Sequence, residues 1–142
     1  MSVRRATPLD DPFAAARHCD RVLVYGTLKR SGRNRRVVAD APCAGTARTE
    51  AAFRLHHGHL PTVDRGGRAR IEGDLLRVSG AQLARIDQFE GHPDFYRREQ
   101  VTLDNGATAW IYLHPVPRTA PRRALTESGV AVWHDPRGHE AS

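Results

Sequence analysis

Apolar positions in this chain fall into short runs broken by glycine and proline, and only one stretch repeats at the helical period. The first clear run is Val22-Leu23-Val24-Tyr25, which stops at Gly26-Thr27-Leu28 and gives way to the basic segment Lys29-Arg30-Ser31-Gly32-Arg33. Such a run predicts a buried strand ending in a turn. Free backbone N–H groups at that turn can hold a carboxylate or a developing oxyanion, because glycine permits close approach. Strand-glycine junctions also simply reverse the chain, so the turn alone does not define a site.

Downstream, residues 34–39 predict a short helix with Val37 and Val38 turned inward. Arg33, Arg35 and Arg36 beside it then form a solvated face, from which one guanidinium could meet a substrate carboxylate. Short strands are predicted over 43–49 and 52–56, followed by the turn Gly58-His59-Leu60-Pro61. Gly66-Gly67 reads as a tight turn, and 69–78 as a long strand whose internal Gly73 implies a bulge or the close approach of another chain segment. Residues 95–103 and 107–113 predict a hairpin around Asp104-Asn105-Gly106.

The helical stretch is 79–90. Ser79 and Gln82 make a capping-box pair, and Gly91 with Pro93 ends the helix. Leu83 and Ile86 mark its apolar stripe, and Glu90, seven residues beyond Leu83 and four beyond Ile86, projects between them. A carboxylate there is either at a frayed end or directed into a pocket, where burial beside Leu83, Ile86 and Phe89 would raise its pKa toward that of a useful general base. Asp87, at the edge of the stripe, is the rival candidate, although capping or hydrogen bonding suits it better.

Length and charge narrow the picture. The 142 residues suffice for one domain and one core. The pattern divides them into a flexible leader (1–20), a domain (21–116) and a C-terminal surface segment and tail (117–142) anchored by Trp133. Asp10-Asp11-Pro12 could start a short helix over 13–17 in the leader, and Pro115, Pro117 and Pro121 break regular structure before the tail. The N-terminus has the positive charges of a signal peptide without the apolar stretch, and no run is long enough to span a bilayer; the expected location is the cytoplasm, with no membrane partner. The net charge of +6 comes almost wholly from arginine, Lys29 being the only lysine. Arginine spread evenly with few aromatics reads as compositional bias, so nucleic acid is not the expected partner. Cys19 and Cys43 are too few for a disulfide framework. In His56-His57-Gly58-His59, adjacent imidazoles would point to opposite strand faces with no carboxylate or thiolate at ligand spacing, so a polar turn is preferred over a metal site.

Tyr25-Gly26-Thr27-Leu28, then Ile71-Glu72-Gly73-Asp74-Leu75, then Leu83-Ala84-Arg85-Ile86-Asp87-Gln88-Phe89-Glu90-Gly91 with Tyr96-Arg97-Arg98 close behind, together resemble the γ-glutamylcyclotransferase-like family. The resemblance covers about residues 21–114 and is nearest the γ-glutamylamine cyclotransferase and butirosin-type branch. It implies an α+β fold: a compact, mostly antiparallel β-barrel with a few helices packed outside and a pocket at its mouth. It assigns Tyr25, Gly26, Thr27 and Leu28 to a substrate-binding loop whose amides hold the γ-glutamyl group, Glu90 to catalytic acid/base chemistry, and Tyr112 to the pocket lining. Relatives often carry an aromatic between the glycine and proline of the Gly58-His59-Leu60-Pro61 turn, so substrate preference could differ here.

The implied reaction needs no metal, cofactor or enzymic nucleophile. The α-amine of a γ-glutamyl amine or peptide attacks its own γ-carbonyl, closes 5-oxoproline and expels the free amine. That leaves orientation, a base and oxyanion donors to the protein. The rival readings are a non-catalytic small-molecule-binding member of the same fold and, behind it, a basic nucleic-acid-binding domain. Tyr25 and Tyr112 serve equally well as core residues, in which case their hydroxyls need partners.

Overall fold

The computed structural model describes residues 19–114 and 125–137; the helix expected at 13–17 and the prolines Pro115, Pro117 and Pro121 lie outside them. Eight strands and one α-helix are present among the described residues: β1 (Arg21–Val24), β2 (Cys43–Arg48), β3 (Phe53–His56), β4 (Thr62–Arg77), α1 (Gly80–Glu90), β5 (Arg97–Thr102), β6 (Thr108–Leu113), β7 (Leu125–Thr126) and β8 (Ser128–Ala131). The helix expected over 34–39 is a single 3₁₀ turn, Arg35–Val38, with Val38 buried and Val37 partly so.

All eight strands share one sheet, in the order β5-β6-β1-β4-β3-β7, with β2 and β8 also paired to β4. At 16 residues β4 is long enough to serve different partners along its length. Its end from Glu72 to Arg77 pairs with β1 and β2, and its start with β3, while Arg68 to Ile71 takes β8. The pairing is antiparallel except for β1–β6 and β4–β8. A bridge between Thr49 and Leu103, with Glu50 N–H on the Thr102 carbonyl and Asp104 N–H on the Arg48 carbonyl (2.9 Å each), brings the far end of β2 to the open edge of β5. The expected α+β architecture is therefore present as a curled, partly closed barrel with one helix outside.

The apolar run of β1 follows from burial on both faces. Leu23 and, just beyond the strand, Tyr25 join Phe53, Leu55, Ile71 and Ile111 inside the curl. Val22 and Val24 face the other way, onto Leu83 and Ile86 of α1. The helix starts as its sequence predicts: Ser79 Oγ accepts from Gln82 N–H (3.1 Å), and Gln82 Oε1 accepts from Ser79 N–H (2.8 Å). A cap of this kind contributes about 1 kcal/mol.

Gly66-Gly67 is not the expected tight turn; both glycines lie within β4, where the register with β3 jumps between Phe53↔Ala69 and Arg54↔Asp64. A Cβ on Gly67 would stand 2.6 Å from the Phe53 carbonyl oxygen, so the glycine serves a bulge. Gly73 does mark a close approach, since a Cβ there would lie 2.3 Å from the Val24 carbonyl oxygen at the end of β1. Gly73→Ala is expected to cost about 2–3 kcal/mol by forcing the two backbones apart. Urea denaturation checks this, and an unchanged midpoint would contradict it.

The flanks of the core are tied in. The Cys19 carbonyl accepts from Trp110 Nε1 (3.0 Å), and the Asp20 carbonyl from Val78 N–H (2.7 Å). Beyond β8, Trp133 is 2% exposed and its indole N–H donates to the Gly58 carbonyl at 2.9 Å.

Candidate active site

The end of β1, the last turn of α1 and the end of β6 converge on a cavity of about 210 Å³. Tyr25, Gly26, Thr27, Leu28, Glu90 and Tyr112 all line it.

The loop after β1 is folded tightly upon itself. Lys29 N–H donates to the Gly26 carbonyl (3.1 Å) and Asn34 N–H to the Thr27 carbonyl (2.9 Å), while Asn34 Nδ2 donates to Thr27 Oγ1 (3.1 Å). Gly32 permits this: a Cβ there would fall 2.1 Å from the Thr27 carbonyl oxygen. Gly26 in turn packs on the turn before β4, where a Cβ would meet Pro61 Cγ at 3.1 Å.

The basic segment holds the loop from outside. Arg30 binds Asp74 through its backbone N–H (2.7 Å) and side chain (3.1 Å). Arg33 binds Asp135 through its backbone N–H (2.9 Å) and guanidinium (2.8 Å). Lys29 Nζ donates to the Trp133 carbonyl, and its burial pushes the ammonium pKa down against the opposing pull of Asp74, Glu72 and Asp135. Arg33 is thus already committed to a carboxylate of this chain and does not belong to a solvated face, whereas Arg35 and Arg36 are exposed. The N–H groups of Gly26, Thr27 and Leu28 donate to no acceptor among the described residues. Unused backbone donors of this kind can hold anionic oxygen where they face a cavity.

Glu90 is the last residue of α1, which Gly91 ends in the left-handed conformation (φ 71°). Its side chain is half-buried, and burial raises its pKa from 4.5 to about 7. No side chain or amide among the described residues donates to it. Phe89, expected to bury beside it, is instead 42% exposed at the cavity mouth.

Asp87 has the opposite character. Its Oδ1 accepts from the Tyr112 hydroxyl (2.6 Å) and from Arg98 Nε (2.8 Å), and its Oδ2 from the other arm of Arg98 (3.0 Å). The guanidinium lies over the Trp110 ring, 4.1 Å from its centroid. A carboxylate so engaged supports structure, in contrast to Glu90, which has no such partner among the described residues. Asp87→Asn is expected to cost about 2 kcal/mol, because Arg98 loses its counter-ion in a partly buried place. Thermal or urea denaturation at pH 7 checks this, and a loss below about 0.5 kcal/mol would contradict it.

Both tyrosine hydroxyls have the partners that burial demands. Tyr25 donates to the Tyr112 carbonyl at 2.6 Å, so its ring, not its hydroxyl, is what it offers the cavity. Burial, then Tyr96 and the charge on Glu90, pushes its pKa well up. Tyr112 is also raised, by burial first and then by its bond to Asp87. Sequence reasoning missed Asn34, Pro61, Phe95 and Tyr96, which also line the cavity. Tyr96 donates to the Pro61 carbonyl at 2.9 Å; the sequence placed it in a motif of the resemblance and near the start of a predicted strand, but gave it no place in the cavity.

The histidines of the His56-His57-Gly58-His59 stretch go separate ways. His56 Nε2 meets Asp64 at 2.7 Å, His57 Nε2 meets Thr126 Oγ1 at 2.7 Å, and His59 lies against Arg33.

The carboxylate at the end of α1 and the loop of unused amides thus line the same cavity of the curled sheet. The gamma-glutamyl cyclotransferase, AIG2-like family model matches residues 22–134, and the chain belongs to that family. A protein of Methanocaldococcus jannaschii named "Putative gamma-glutamylcyclotransferase" is 33% identical over 100 residues, covering 66% of this chain and 83% of its own. Among solved structures, a mouse AIG2-like protein is 26% identical with a TM-score of 0.59, over 75% of this chain and 82% of its own. An uncharacterised Pyrococcus horikoshii protein, at 22% identity and a TM-score of 0.61, covers 75% and 85% and shares the fold.

Proposed function

We propose that this chain is a γ-glutamyl cyclotransferase that converts a γ-glutamyl amine or peptide to 5-oxoproline and the free amine. The observation that carries the reading is Glu90: a carboxylate with a pKa near 7 and no partner among the described residues, in a cavity walled by the unused amides of Gly26, Thr27 and Leu28. The family membership and the names of the relatives support the same reaction class.

In this mechanism the neutral α-amine of the substrate attacks the γ-carbonyl as Glu90 takes its proton. The new N–C bond closes the ring, and the carbonyl oxygen becomes an oxyanion within reach of the loop amides. Collapse breaks the γ-carbon–nitrogen bond while protonated Glu90 returns the proton to the departing nitrogen. Because attack is intramolecular, holding the chain in the reactive conformation supplies several kcal/mol. The base contributes about 10² to 10⁴ in rate, and each oxyanion donor about 10² or more.

Incubating the purified protein with a panel of γ-glutamyl amides and following 5-oxoproline by mass spectrometry tests the reading. Release of 5-oxoproline with equimolar amine is the expected result. Specific binding of the amides with no product would favour the non-catalytic alternative.

A further inference from the structure

Four large hydrophobic side chains are exposed among the described residues, and three of them stand together at the mouth of the Glu90 cavity: Leu60 (47%), Phe89 (42%) and Phe95 (54%). Single exposed apolar residues need no explanation, but a cluster at a cavity mouth marks a surface that meets something. The three come from separate segments: the turn before β4, the last turn of α1 and the stretch leading into β5.

The rim is braced. Phe95 stands edge-on to Tyr96 (centroids 5.1 Å apart, 82°) and to His114 (6.1 Å, 71°), and its N–H donates to the Gly91 carbonyl at 2.9 Å. Its Cβ would lie 3.0 Å from a Cβ on Gly91, so the helix-ending glycine also makes room for it. Leu60 is placed by Pro61, which packs on Gly26.

Charge narrows the occupant. Among the described residues, Glu90 is the only acidic or basic side chain lining the cavity. The described lining holds no cation to meet the carboxylate of a departing amino acid, and no second carboxylate to meet the far ammonium of a diamine.

We propose that Leu60, Phe89 and Phe95 form the leaving-group subsite, and that the amine released is a primary amine carrying a neutral apolar or aromatic group. The proposal rests on the Glu90-centred reaction above for the placement of the scissile bond. When that bond breaks, the amine nitrogen takes its proton from Glu90 and its apolar substituent lies against the rim.

Three amides test it: γ-glutamylbenzylamide, γ-glutamylmethylamide and γ-glutamylputrescine. Their dissociation constants are measured by calorimetry on Glu90→Gln, and their turnover on the wild type. Benzylamide is expected to bind at least about tenfold tighter than methylamide, given what apolar groups contribute in pockets, and putrescine no tighter than methylamide. Phe95→Ser, and Phe89→Ser as a second variant, should each shrink the benzyl-to-methyl ratio to about two; both side chains are exposed enough for the fold to survive. Equal affinities for benzylamide and methylamide, or tightest binding of putrescine, overturn the apolar subsite, and 5-oxoproline release from all three would then leave the reaction standing. A tenfold benzyl preference with no 5-oxoproline from the wild type overturns the reaction and keeps the apolar subsite.

Discussion

Glu90→Gln is expected to lower kcat for 5-oxoproline release by about 10³-fold, while making the folded protein more stable at pH 8. The two effects share one cause. Burial lifts the carboxyl from 4.5 to about 7, so the folded state favours its protonated form. That preference stabilises the fold fully below about pH 4.5 and is lost as pH rises through 7. At pH 8 the wild type holds an ionised carboxylate away from full hydration; glutamine is neutral at every pH. With allowance for solvent reaching a half-buried group, the variant should gain about 2 kcal/mol at pH 8 and converge on the wild type near pH 5. Urea denaturation at the two pH values reads the stability difference, and steady-state kinetics reads the rate. A variant that turns over as fast as the wild type would remove Glu90 from the mechanism.

The second large effect is expected at Trp133, far along the chain from the loop it supports. Its ring is in the core inside the curl, its indole N–H holds the Gly58 carbonyl, and its own carbonyl accepts from Lys29 Nζ. Two residues on, Asp135 binds Arg33; burial raises the pKa of that carboxyl, but the hydrogen bonds from Arg33 and Arg137 outweigh it and hold the carboxyl down at about 2. Trp133→Ala should therefore cost about 4 kcal/mol by opening a cavity in the core. It should also raise KM more than it lowers kcat, because the Gly26-to-Leu28 loop loses its outer brace while Glu90 keeps its place. Chemical denaturation with kinetics at a temperature where the variant is folded checks both. A loss below about 1 kcal/mol would mean that this end of the chain lies on the surface.

What the sequence made legible was local. The cap of α1 is set by Ser79 and Gln82, three residues apart, and the β5–β6 hairpin by the Asp104-Asn105-Gly106 turn, where Gly106 has φ 89°. A 3.6-residue period puts Glu90 between Leu83 and Ile86 in projection, which left a frayed surface end open as well, and it was the family resemblance that singled it out. Features set by distant partners were not visible. The first half of β4 was hidden by Gly66-Gly67, a pair that reads as a turn until β3 is known to bulge against it. Strands β7 and β8 are short and follow a proline-rich stretch, and they exist through pairing with β3 and β4. The role of Arg33 depends on Asp135, 102 residues away. Phe89 reads in the sequence as a buried neighbour of Glu90, and only the fold places it, with Phe95, in the open.

The most direct test of the central claim is the pH dependence of 5-oxoproline release, measured from pH 5 to 9 on wild type and Glu90→Gln with one γ-glutamyl amide. The account predicts that wild-type kcat/KM rises with pH through a pKa near 7, as Glu90 ionises to the base form in the free enzyme, and that this limb is absent from the slow residual rate of the variant. The same limb in both proteins would assign the ionisation to another group, such as the substrate amine, and would contradict the account.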